Sequence, residues 1–309
     1  MVGPTNNAWN STIPAEVSKG GTGAATLTEH GILVGNGTGA ITSFVSYADG
    51  LLLTGSAAGW PTWSAALAGN FSFNGTVAGA TRSLGVVNMD NSDPASHAQI
   101  STYTGGTSGG DPYATYAVGV TTLFSQGIDN SDSDSFKLVS GLTMAGTVFS
   151  RMTTAGERTL PLQPAFLASV SSTVSNATGD GTLVDPITHD SEKFDQGGDY
   201  STGTYTFTAP VTGRYYFAAN VTLDDLTASH TVIEFFITTS NRGYYLQRSN
   251  PGAIKDPNDI AVYYGSSFAD MDASDTAKST VNIYNGNKVV DLNGNETGMP
   301  TAFSGALIC

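Results

Sequence analysis

Asn130, Asp132 and Asp134 stand at the i, i+2, i+4 spacing with which a loop offers oxygen ligands to calcium. The pattern then fails. Ser135 occupies the sixth position, where the turn needs Gly, and Gly141 the twelfth, where a bidentate Glu is needed. A solvated acidic turn is the expectation there. Asp270, Asp272 and Asp275 form a second acidic cluster. Asp224 and Asp225 are adjacent carboxylates, but neighbours on a strand face opposite ways. Glycoside hydrolysis needs two carboxyls about 5–10 Å apart across a cleft. His30, His97, His189 and His230 lie amid Thr, Ser and Asp, and none stands near Cys309 or a Gly-x-Ser-x-Gly elbow. Loop histidines, and no enzyme, are expected.

A different chemistry is concentrated between residues 242 and 264. Arg242, Tyr244, Tyr245, Arg248, Lys255, Tyr263 and Tyr264 make a basic and aromatic island in an acidic chain. Tyrosine rings stack on sugar faces and offer a hydroxyl, and Arg adds donors. These seven are the candidate ligand-binding residues. Asn241 to Lys255 reads as a long, Tyr-rich loop. The competing reading places the four tyrosines in a sandwich core or on an axis between copies.

The bulk composition limits what can hold such residues. The chain has 309 residues, a length that suits about two domains. Charged residues are only 12%, Gly numbers 37, and aromatic residues reach 10%. The glycines have no Gly-X-Y period, which excludes collagen. The formal net charge of −14 repels phosphate backbones and anionic lipid, so no nucleic-acid partner is expected. No run of 18 apolar residues exists, so no membrane insertion is expected. The opening Met-Val-Gly-Pro-Thr-Asn-Asn lacks a basic and an apolar region, so no signal peptide is expected. Cys309 is the only cysteine, so no intrachain disulfide can form. Sequons such as Asn36 and Asn176 follow from a Ser/Thr/Asn-rich composition.

Short strands and frequent turns are legible throughout. His30 to Gly37 is echoed by Asp49 to Ser56, each a short aliphatic strand followed by a turn. One such unit cannot bury its apolar triplet without neighbours. Gly110 to Val118 reads as a turn and a strand, and Phe124 to Leu138 as strand, acidic turn, strand. Pro161 and Pro164 mark a linker. Three parts are expected: residues 1–66, 67–160 and 161–309. In the last, Val232–Thr238, Ile260–Tyr264, Ser279–Tyr284 and Lys288–Leu292 read as strands, with Asn285-Gly286 a hairpin signal between the final two.

The richest stretch is Asp195 to Phe217. It carries an acidic-Gly-x-Tyr segment, Thr-Gly, Phe207-Thr208-Ala209-Pro210, Gly213 and Tyr215-Tyr216-Phe217. Thr301 to Ile308 matches a closing strand of Thr-Phe-Ser-Gly-Phe-Leu-Ile type. Asp275-Thr276-Ala277-Lys278 stands where Gly-Asp-x-Val is usual. From Phe166 to Ile308 the chain resembles the C1q/TNF-like jelly rolls. That resemblance implies a ten-strand β-sandwich that trimerises and recognises partners through exposed loops, without catalysis. Some C1q-like trimers bind calcium near their axis. The family pattern does not map residue by residue here, so no cofactor is expected; structural calcium is compatible with the resemblance but not predicted.

Two further segments resemble bacteriophage fibre modules. One is Gly20-Gly21-Thr22-Gly23 followed by Gly31 to Gly39, and the other is Gly127-Ile128-Asp129-Asn130-Ser131 through Phe136-Lys137, within residues 103–159. Together the resemblances imply an all-β trimeric fibre: a Gly-rich N-terminal repeat segment attached to a virion protein, a β-rich stem module, and a C1q/TNF-like head. The head would bind a host-surface receptor, a glycan or a protein, through the seven residues named above. A capsid (head) fibre or decoration protein, and a soluble C1q-like lectin, are the alternatives. Location in a virion, after synthesis in a host cytoplasm, follows from the same resemblance.

Overall fold

β-branched and aromatic runs cut by Gly, Pro, Asn and Asp favour strands over helices, and the protein is almost all β. The computed structural model describes residues 16–17, 20–27, 29, 31–44, 52–54, 62–64, 94, 97–118 and 122–309. It divides into two compact units, Met1–Gly85 and Val86–Cys309. In the first, β1 (Ile32–Asn36) and β2 (Gly39–Phe44) form a hairpin, and β3 (Leu52–Thr54) pairs with β4 (Thr62–Ser64). Each pair is a separate two-stranded sheet. The repeat at 31–37 is thus a strand and its turn. His30, most of the second repeat and residues 1–15 lie outside the described residues.

The second unit opens with β5 (Tyr113–Val118), β6 (Thr122–Asp129), β7 (Ser135–Ser140), β8 (Val148–Met152) and β9 (Arg158–Thr159). They form one antiparallel sheet in chain order. Its acidic turn is closed by the protein's own cations. Lys137 Nζ lies 2.7 Å from both Asp129 and Asp132, and Arg151 Nε donates to Asp132 at 2.6 Å. Asn130 Nδ2 donates to the carbonyls of Gly106, Thr107 and Gly109. The calcium-like spacing therefore builds a turn.

The remaining strands are β10 (Ala165–Ser169), β11 (Ser172–Thr178), β12 (Leu183–Val184), β13 (Ser191–Asp195), β14 (Tyr200–Ser201), β15 (Thr206–Thr208), β16 (Gly213–Asp224), β17 (Val232–Thr239) and β18 (Gly243–Ser249), a one-turn helix α1 (Pro251–Ile254), then β19 (Ala261–Met271), β20 (Thr276–Tyr284), β21 (Val290–Asn295) and β22 (Ala302–Leu307). One sheet runs β13-β10-β22-β16-β19, with β21 and β11 continuing beside the far end of β16. The other runs β14-β15-β20-β17-β18, with β12 on β20. A seven-stranded and a six-stranded antiparallel sheet, with chain crossings between the two layers, make a jelly roll. The Pro210 to Gly213 turn is one such crossing, carrying the chain from β15 to β16.

Asn285-Gly286 is another. The hairpin expected there does not form: β20 belongs to one sheet and β21 to the other. The turn instead packs on a histidine, and a Cβ at Gly286 would stand 2.1 Å from the His230 ring.

Period-two alternation puts Tyr215, Phe217, Ala219, Val221 and Leu223 of β16 inward, facing Ile233, Phe235 and Ile237 of β17. Phe166 anchors the centre. Its ring is 4.8 Å from Tyr200, 5.0 Å from Phe207 and 5.1 Å from Phe303. Gly305 makes room for this cluster, since a Cβ there would lie 2.4 Å from the Phe217 ring. The 160–163 linker is tied to the sandwich: Gln163 Nε2 donates to the Leu307 carbonyl at 2.8 Å, and Gln196 Nε2 to that of Leu160 at 2.6 Å.

Candidate functional site

The β17–β18 hairpin positions the first candidates. Thr239 Oγ1 accepts from the amides of Asn241 and Arg242, so the chain reverses tightly at Ser240–Asn241. The stretch from 241 to 255 is therefore not a long loop. Most of it is β18, because β17 leaves a free edge whose N–H and C=O groups residues 243–249 satisfy. A bulge sets Gln247 opposite Phe235 and Tyr245 opposite Phe236, leaving Leu246 unopposed. Tyr244 and Leu246 turn inward against the core, while Tyr245 and Arg248 turn outward.

The outward pair meets at Glu234, whose side chain is only 17% exposed. Tyr245 Oη donates to Glu234 Oε1 at 3.2 Å, and Arg248 Nε stands 3.3 Å from the same oxygen. Tyr284 Oη donates to Oε2 at 3.2 Å and accepts from Asn282 Nδ2 at 2.8 Å. The Tyr245 ring centroid lies 4.0 Å from that of Phe236. Burial and the Glu234 charge push the Tyr284 phenol up, so it stays a donor. A carboxylate, two phenols, a guanidinium and two rings on one sheet face suit a polyhydroxylated ligand. Glu234, Phe236, Asn282 and Tyr284 carry no signal of a site in the local sequence pattern. They are the outward alternates of β17, whose inward residues Ile233, Phe235 and Ile237 are legible from period two, and of that strand's partner β20.

The other candidates lie elsewhere. Arg242 Nη2 is 3.4 Å from Asp270, both exposed, at the rim of a cavity of about 290 Å³ lined by Thr212, Arg214, Asn241 and Asp272. Asp275 is a turn brace there. It accepts from Ser240 Oγ, Asn241 Nδ2 and the Asp272 amide, and these bonds hold its carboxyl below the usual range. Lys255 closes α1 and pairs with Asp259. Tyr263 does not reach the surface. The inward positions of β19 are Ala261, Tyr263, Ala269 and Met271, so its phenol is buried in the core and pushed up by that burial. Tyr264 points out of the opposite sheet.

That opposite face has its own character. Tyr216, Val262, Tyr264 and Phe268 are exposed on it, with the Tyr216 and Phe268 rings 5.2 Å apart. Ala218, Ser266 and Ser304 floor a shallow cleft of about 290 Å³ beside them. Among the described residues, β16 and β19 carry no charged side chain on this face between Tyr216 and Thr222 or between Val262 and Phe268; Arg214 and Asp270 stand in register at one end, and Asp224 and Asp291 at the other.

The histidines expected on open loops behave differently. His30 is outside the described residues, and His97 is exposed. His189 and His230 leave regular strands but are fully buried. His230 Nδ1 accepts from the Thr227 amide at 2.9 Å, so Nε2 carries the proton donated to the Asn287 carbonyl at 3.0 Å. His189 lies with its ring 5.9 Å from Phe303, and burial pushes its imidazole down to about 3.

No family model matches the chain, and no curated protein matches it. Among solved structures it is similar to the globular domain of zebrafish complement 1qA protein, at 18% identity and a TM-score of 0.33, over 47% of this chain and 98% of that one. It is also similar to murine APRIL in two crystal structures, at 11 and 14% identity with TM-scores of 0.33 and 0.34, each over 47% of this chain and 99% of that one. The strand order itself defines the class: an all-β protein whose C-terminal half is a jelly-roll sandwich of two antiparallel sheets.

Proposed function

We propose that this chain is the subunit of a homotrimeric fibre or spike on a bacteriophage particle. Its N-terminal segment attaches to another virion protein, and its jelly-roll head binds a host-surface receptor, a glycan by the chemistry of the head. The observation that carries the self-association is the aromatic, uncharged face of Tyr216, Val262, Tyr264 and Phe268. Copies of a chain with net charge −14 repel one another except through such a face. The fibre setting is supported by the fibre-like segments at 20–39 and 103–159. Receptor contact is supported by Tyr245 and Arg248 around Glu234, with Arg242 nearby in sequence at the hairpin tip. Binding, not catalysis, is the chemistry of this surface. Weak contacts at each head are multiplied by three heads per fibre and by several fibres per particle.

Two measurements test this. Light scattering on the purified chain is expected to give three times the chain mass; a monomer at micromolar concentration rejects the trimer. Particles whose subunit lacks 161–309 are expected to lose adsorption to host cells. Unchanged adsorption rejects receptor binding and favours a capsid fibre or decoration protein.

A further inference from the structure

The sheet of β5 to β9 has its polarity reversed. Residues alternate between its two faces, and the face turned inward carries Ser125, Asp129, Ser135 and Lys137, all buried, with Val139 as the apolar member. The ion pairs of Lys137 with Asp129 and Asp132 lie on this side. The other face carries Tyr116, Val118, Phe124, Phe136 and Met152, exposed by 55, 76, 43, 40 and 43%. Register places them together: Tyr116 is opposite Phe124, and Phe136 opposite Met152. The Phe149 ring joins them, 5.7 Å from Phe124.

A lone sheet with a wet aromatic face and a buried ionic face is upside down for a monomer. The hydrophobic effect favours hiding the rings, and a stable sheet needs a second layer over its apolar side. At about 150–250 Å² per large ring, these exposed fractions leave on the order of 500 Å² of apolar side chain open. That is within the roughly 300–600 Å² of a monomer's largest, often functional, patch, and over half of the roughly 800 Å² per partner of a standard interface.

We propose that the chains of the trimer pack these faces against one another around a common axis, so that the stem's hydrophobic core exists only between copies. This deepens the trimeric fibre reading and rests on it. Charge selects the occupant. Among the described residues of the sheet, the one charge on this face is Arg158 at the edge, its Nε donating to Ser150. An anionic ligand or a charged protein finds little to pair with there, whereas a second copy of a −14 chain can approach only where charge is missing. The apolar surface also continues toward the head. Phe149 lines a cavity of about 330 Å³ with Leu160, Leu162, Pro210, Val211 and Leu307. A trimerising head would therefore hold three stems close together.

The experiment uses the full chain with Cys309→Ser and Phe136→Cys, leaving one thiol on the face. Three results are expected together: a trimer by light scattering, interchain disulfides under mild oxidation, and maleimide labelling at least tenfold slower in the native protein than after denaturation. Tyr116→Cys, on the edge strand, serves in the same way if Phe136→Cys misfolds. A trimer whose thiol labels at the rate of a free cysteine overturns this inference while leaving the trimeric head intact. A monomer overturns both. A trimer with a slow thiol that never forms interchain disulfides means the chain covers its own face, and overturns this inference alone.

Discussion

Acid should weaken the head through one side chain. His189 is fully buried in the jelly roll beside Phe303, and Tyr200 Oη donates to its backbone carbonyl at 3.0 Å. Burial disfavours the imidazolium and takes its pKa from 6.5 to about 3, while neighbouring Asp190 pulls weakly the other way. Above pH 6.5 both folded and unfolded chains hold a neutral ring, and His189 contributes nothing to pH dependence. Below that, the unfolded chain takes up a proton that the folded one refuses, so stability falls at about 1.4 kcal/mol per pH unit until pH nears 3. Between pH 7 and 5 the loss is about 2 kcal/mol per head. Most carboxylates with lowered pKa values, Asp275 among them, respond mainly below this window. The assay is urea unfolding at fixed chain concentration, comparing wild type with His189→Gln at pH 7, 6 and 5. The variant is less stable at pH 7 but should lose less of its stability on acidification. Equal pH dependence in the two proteins would refute the argument.

Three further outcomes are expected. Gly305→Ala drives a methyl group into the Phe217 and Phe166 rings and should cost about 1–3 kcal/mol in thermal or urea unfolding; an unchanged midpoint would show that the cluster yields freely. Arg242→Ala with Arg248→Ala removes two exposed cations, so head stability should move by less than about 1 kcal/mol while host adsorption falls; unchanged adsorption takes both arginines out of the receptor surface. Residues 161–309 hold their own core and should fold alone, giving a β-type circular dichroism spectrum and cooperative melting; an unfolded fragment would move the boundary.

Much of the β architecture was legible because strands write themselves in period two. Tyr215 to Leu223 and Ile233 to Ile237 announce their inward faces, and Pro210 and Gly213 announce the turn between two strands. The acidic turn between β6 and β7 was readable for the same reason. Local pattern also says which residues of a strand share a side. It does not say which strand comes to lie alongside, because pairing partners are tens of residues away and are chosen by which edges remain open. That choice turned Asn285-Gly286 from a hairpin into a crossing, made β18 of the supposed loop, and put Tyr263 rather than Tyr264 in the core. It also brought Glu234 and Tyr284 to Tyr245 and Arg248. Sequence determined the alternation of faces. Tertiary structure alone decided which face was covered, because burial depends on the neighbouring layer, and the described residues leave the stem's Phe124 and Phe136 exposed.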